Sequence, residues 1–158
     1  MTILIVEDDE NKGDQLQRFL REIYPERGMH LVKSLQSAVR YVRSQKPSLI
    51  LLDMTLPNYD ASPDEPGGGT THSFGGREFL RQMDRFDIQI PVIVFTQFET
   101  FGKSSQQTDL RELDSQLRLE HKDVYRGAVY YHASIGSWKD QLKQMICQIL
   151  NDHPSEKQ

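Results

Sequence analysis

Residues 49–57 read LILLDMTLP: four apolar residues, an aspartate, and a leucine–proline stop. A strand that is apolar on both faces suits a parallel sheet covered by helices on both sides. Asp53 would then mark the point where the chain leaves that sheet. Working outward, Thr2–Val6 (TILIV) is a second such run and ends in Glu7-Asp8-Asp9-Glu10. Residues 90–96 (IPVIVFT) and 127–133 (GAVYYHA) give two more strands, and 29–33 gives the fifth. Between them, Leu16, Phe19, Leu20 and Ile23 fall at i, i+3, i+4 and i+7, the spacing of one helical face. Leu35, Ala38, Val39 and Val42 repeat it, as do Phe79, Leu80 and Met83. Leu110, Leu113 and Leu117 predict a helix over 108–120. Leu142, Met145, Ile146, Ile149 and Leu150 predict one over 137–150. Five β/α units in succession predict an open parallel sheet, with sites beyond the carboxyl ends of its strands.

At 158 residues the chain is sized for one domain, expected over 1–150 with a polar tail at 151–158. Its 19 Lys and Arg against 23 Asp and Glu, a net charge of −4, argue against a nucleic-acid-binding surface. The apolar runs are far shorter than the ~20 residues of a membrane span. The opening residues leave no room for a signal peptide, and Cys147 is a lone cysteine, so the cytoplasm is the expected compartment. Two connections are long: 58–75, rich in Gly, Pro, Ser and Thr, and 97–126. Ordinary connections in such folds run ~2–6 residues, so both read as insertions at the functional end.

The strand ends carry the chemistry. Glu7 and Asp8 close strand one, Asp53 strand three and Thr96 strand four. Three carboxylates at one mouth repel one another unless a cation joins them. Oxygen donors without His or Cys suit a hard ion, Mg2+ above all. A carboxylate beside such an ion is a nucleophile for a phosphoryl group, and a nearby hydroxyl can hold one of its oxygens.

On the segments ILIVEDDE (3–10), LILLDMTLP (49–57), PVIVFT (91–96) and GAVYY (127–131), the chain resembles the receiver domains of two-component response regulators. The resemblance implies a flavodoxin-like, CheY-like α/β fold with strand order 2-1-3-4-5. It also implies a Mg2+-dependent phosphoacceptor rather than an enzyme acting on a substrate, with self-dephosphorylation at most. Glu7 and Asp8 would be the acidic pair, with Asp8 the more direct metal ligand. Asp53 would be the phosphoacceptor, Thr55 would lend its backbone carbonyl to the metal, Thr96 would be the switch hydroxyl, and Tyr131 the aromatic switch on strand five. The partners implied are a histidine kinase or phosphotransfer protein and a separate effector. A stand-alone receiver, monomeric or weakly dimeric, with no output domain, no nucleic acid and no membrane, is expected.

Two departures bear on switching. The family places a phosphoryl-binding lysine near the end of strand five, where this chain has Ser134. The usually small residue after the switch hydroxyl is Gln97. Both favour, as an alternative, a pseudo-receiver or adaptor that binds its partner independently of phosphorylation. Other readings fare worse. Gly102-Lys103-Ser104 lacks the glycine that a phosphate loop needs at position 97. A haloacid-dehalogenase-like phosphatase would want an acid where Thr55 stands, and a flavin phosphate would meet four acids after strand one. The five histidines have no metal-ligand spacing, and Asp9 and Glu10 are read as partners of a helix N-terminus.

Overall fold

The computed structural model describes residues 2–57, 71–72, 75–97, 100–101, 108–132 and 134–151. The Gly67–Gly69 run, Lys103 and the polar tail after 151 lie outside them. The parallel strands are β1 (Thr2–Val6), β2 (Gly28–Val32), β3 (Leu49–Leu52), β6 (Val92–Thr96) and β9 (Tyr125–Tyr130). The helices are α1 (Glu10–Ile23), α2 (Leu35–Ser44), α3 (Gly75–Arg85), α4 (Leu110–Glu120) and α5 (Ser137–Asn151). The strands lie in the order β2-β1-β3-β6-β9, the expected 2-1-3-4-5 arrangement. Two short antiparallel ladders were not foreseen. One pairs β4 (Leu56–Pro57) with β5 (Thr71–His72), and the other pairs β7 (Thr100–Phe101) with β8 (Thr108–Asp109). The first ties together the flanks of the 58–75 connection, and α4 occupies much of 97–126. No helix among the described residues is long and apolar enough to cross a membrane.

Strand alternation divides the core in two. Leu4, Val6, Ile50, Leu52, Val92 and Val94 face α2, α3 and α4, where Phe79, Leu80, Leu113 and Leu117 meet them. Ile3, Ile5, Leu49, Leu51, Ile93 and Phe95 face α1 and α5, against Leu16, Phe19, Leu20, Trp138, Leu142 and Ile146. Trp138 is the hub of the second cluster, with the rings of Phe19, Phe95 and Tyr131 all 5.3 to 5.4 Å from its own. Each fully buried aliphatic or aromatic side chain stabilises by about 1.5–3 kcal/mol. The sheet is thereby fixed from both sides, and its carboxyl edge becomes a rigid platform.

The last strand departs from the expected 127–133. It begins at Tyr125 and ends at Tyr130. Val92 pairs with Tyr125, but the next residue, Ile93, pairs with Gly127, so Arg126 is one residue too many. Gly127 takes the extra turn at φ 135°, a region that side-chain-bearing residues rarely adopt. One inserted residue exchanges the faces of everything after it. Tyr125 therefore packs on the α4 side, whereas Val129 and Tyr131 pack on the α1/α5 side.

Candidate functional site

The site is assembled at the carboxyl ends of β1, β3 and β6. Glu7 and Asp53 are held by the ladders they leave: Glu7 N–H donates to Val32 O at 3.0 Å, and Asp53 N–H donates to Val6 O at 3.0 Å. Both carboxylates are buried while Asp8 is exposed. Glu7, Asp8 and Asp53 can each place one carboxylate oxygen within 4.8 Å of the others. Burial and the neighbouring Asp53 charge push the Glu7 carboxyl up to about 8, against the pull of Lys12. The same two causes raise Asp8. A cluster that resists its own ionisation in this way is one that a divalent cation would relieve. Its donors are all oxygen, so the residues present fit a hard ion.

The loop after β3 is shaped by close contact. The Thr55 backbone N–H approaches Asp53 Oδ1 at 3.4 Å, and its hydroxyl donates to Oδ2 at 3.2 Å. The start of α3 lies directly on this loop. Gly76 N–H donates to Met54 O at 2.9 Å, and a Cβ on Gly76 would come within 2.8 Å of Asp53 O and Met54 Cα. Only glycine allows that approach.

Thr96, fully buried, ends β6 one strand away. It follows Phe95, so its side chain leaves the sheet on the Val94 face. Its partner in the ladder is Tyr130, not Tyr131. Tyr131 lies just past the strand on the opposite face, 5.3 Å from the Phe95 ring, and donates its hydroxyl to Gln15 Oε1 at 2.9 Å. Its backbone meets Thr96 through a 2.8 Å bond from Tyr131 N–H to Thr96 O. Ser134 is exposed, in a turn where its N–H donates to His132 Nδ1 at 3.2 Å. Gln97 is half-buried beside Thr96. Asp9 is the N-cap of α1, as expected, accepting from Lys12 N–H at 2.9 Å, and Glu10 lies in the first turn.

One residue was missed. Lys12, only 1% exposed, places its ammonium 2.5 Å from Glu7 Oε1 and 3.4 Å from Asp53 Oδ1. The helical stripe of Leu16, Phe19, Leu20 and Ile23, extended back by four residues, lands on Lys12. A cation on an apolar stripe is the signal that could have found it. Helical side chains tilt toward the N-terminus, so its stem runs back from α1 into the mouth. Its ammonium passes 5.4 Å from the centre of the Phe95 ring.

No protein-family model matches the chain. It is 38% identical over 145 residues to y4jR, an uncharacterized protein of Sinorhizobium fredii, covering 90% of this chain and 95% of that one. The Detocs response regulatory protein DtcB of Enterobacter cloacae is 28% identical over 150 residues, covering 94% of this chain and all of that one. Among solved structures, the receiver domain of a Pseudomonas aeruginosa sensor histidine kinase superposes with a TM-score of 0.58 at 18% identity. The match covers 94% of this chain and 96% of that one, and that domain carries a magnesium ion in its active-site cleft. The five-stranded order and this superposition give the chain the fold of response-regulator receiver domains, and at 38% identity over most of both chains it belongs to one family with y4jR.

Proposed function

We propose that this receiver accepts a phosphoryl group on Asp53 from the phosphohistidine of a histidine kinase or phosphotransfer protein. The observation that carries the reading is the convergence of Glu7, Asp8 and Asp53 from two adjacent strand ends. Asp8, Asp53 and the Thr55 backbone carbonyl would hold Mg2+, with Glu7 behind them. Bound there, the ion would offset the negative charge of the transferring group.

The chain's own residues do the rest. An Asp53 oxygen attacks phosphorus, the phosphorus–nitrogen bond breaks, and its electron pair returns to the imidazole of the donor. The Thr55 hydroxyl, now on Asp53 Oδ2, turns away as that oxygen becomes engaged. Thr96 offers its hydroxyl to a phosphoryl oxygen from the neighbouring strand end. Tyr130, its ladder partner, is the aromatic residue that a shift of Thr96 would reach first. Tyr131, held by Gln15 and Trp138, is a poorer switch than its place in the sequence implies. A separate effector would read the result, in keeping with the description of DtcB as a response regulatory protein.

The test is incubation with Mg2+ and a small acyl phosphate, read by intact mass. One phosphoryl group on the wild type and none on Asp53→Asn is expected. No modification at millimolar metal favours the pseudo-receiver reading, in which Lys12 already supplies the site's positive charge.

A further inference from the structure

The family's phosphoryl-binding ammonium comes from the end of the last parallel strand. In this chain that place is held by Ser134, exposed and turned into a local bend with His132. Lys139, further along, is also exposed and lies over the Trp138 ring at 5.7 Å. The opposite wall of the mouth holds what this one lacks. Lys12 reaches it from α1, almost wholly buried, with its ammonium against both Glu7 and Asp53. Resting on that reading of Asp53 as phosphoacceptor, we infer that Lys12 is this receiver's phosphoryl-binding cation, relocated from strand five to the first turn of α1.

Three observations carry it. The ammonium is 3.4 Å from an oxygen of the acceptor carboxylate, so a phosphoryl group built on that carboxylate lies within its reach. An ammonium carries three N–H donors, and among the described residues its ion-pair partners are two, Glu7 Oε1 and Asp53 Oδ1, so a donor is left for an anion. Burying a lysine beside two acids in a core of Ile, Leu and Phe is costly without a use for the charge. Its aim is also built in, because the Asp9 carboxylate that caps α1 binds the Lys12 backbone N–H and fixes where the side chain begins.

The relocation predicts opposite effects on cation and anion. With Lys12→Met, Mg2+ alone should bind more tightly, because a positive charge beside the acids is gone. Beryllofluoride, the phosphoryl mimic, should bind Asp53 roughly ten- to a hundredfold more weakly at saturating Mg2+. Moving the charge back, with Lys12→Met combined with Ser134→Lys, should regain part of that loss, while Ser134→Lys alone should add little. Lys12→Gln, of similar length and able to donate a neutral hydrogen bond, should fall between wild type and Lys12→Met. Folding is checked by circular dichroism, and a misfolded variant would lose both ligands together. The readout is fluorescence of Trp138 for each ligand, supported by fluorine NMR for beryllofluoride. Wild type that fails to bind beryllofluoride overturns the phosphoacceptor reading and this inference with it. Wild type that binds, with Lys12→Met and Lys12→Gln binding equally well, overturns the inference alone. Weakening of both ligands in a folded Lys12→Met or Lys12→Gln also overturns it, because Lys12 would then only support the shape of the site.

Discussion

Along the mouth of the sheet, the wall formed by β1, β3 and α1 carries Glu7, Asp8, Asp53 and Lys12. The wall formed by β6, β9 and the turn into α5 carries Thr96, Tyr131 and Ser134. The first is crowded with charge, and two of its acids and its lysine are buried. The second has uncharged side chains, and at Ser134 it is open to solvent. Receivers as a family divide these duties, acids on one wall and cation on the other. Here both signs of charge have been gathered on one side. On the proposed reading, the field at the reacting atom is kept while the element that supplies it changes. The cost is local, since a buried ion pair must repay the desolvation of both partners.

The contrast can be broken from its charged side first. Lys12→Met leaves two buried acids without their cation and should cost about 3 kcal/mol in metal-free urea melts, at the low end for a broken buried pair. Millimolar Mg2+ should return much of that loss, because a ligand of the folded state alone stabilises it by mass action. A loss that Mg2+ does not touch would mean that the lysine matters for packing alone. Next in size is Gly76→Ala, where a methyl group would meet the backbone of Asp53 and Met54 at 2.8 Å. Overpacking should cost about 1–3 kcal/mol, outweighing the gain in helix propensity, and denaturant midpoints will show it. On the neutral wall, Tyr131→Phe removes the hydroxyl bonded to Gln15 and should cost about 1 kcal/mol. The smallest effect is Ser134→Ala, expected within about 0.5 kcal/mol because the residue is exposed. A larger effect there would restore the neutral wall to importance.

How much could be read from the chain follows the same division. The acids were legible because each ends an apolar run, and strand ends in a parallel sheet are where polar residues converge. Asp9 was legible as a cap because its side chain needs only a local partner, Lys12 N–H. Lys12 was not, because a lysine in a first helical turn ordinarily points to solvent, and its inward turn depends on Asp53, at the end of a strand far later in the chain. The place of Tyr131 also escaped. Its face depends on the one-residue bulge at Arg126, which apolar periodicity alone does not reveal even though Gly127 is visible in the sequence.

The claim that the charged wall exists to receive a phosphoryl group is tested most directly by finding where the group goes. Borohydride reduces an aspartyl phosphate to homoserine, which peptide mass spectrometry locates to a single residue. After treatment with Mg2+ and a small acyl phosphate, homoserine should replace Asp53 and nothing else. Homoserine at Asp8, the one-carbon-longer alcohol that a glutamyl phosphate would give at Glu7, or no reduced residue in a folded protein saturated with Mg2+ would contradict the account.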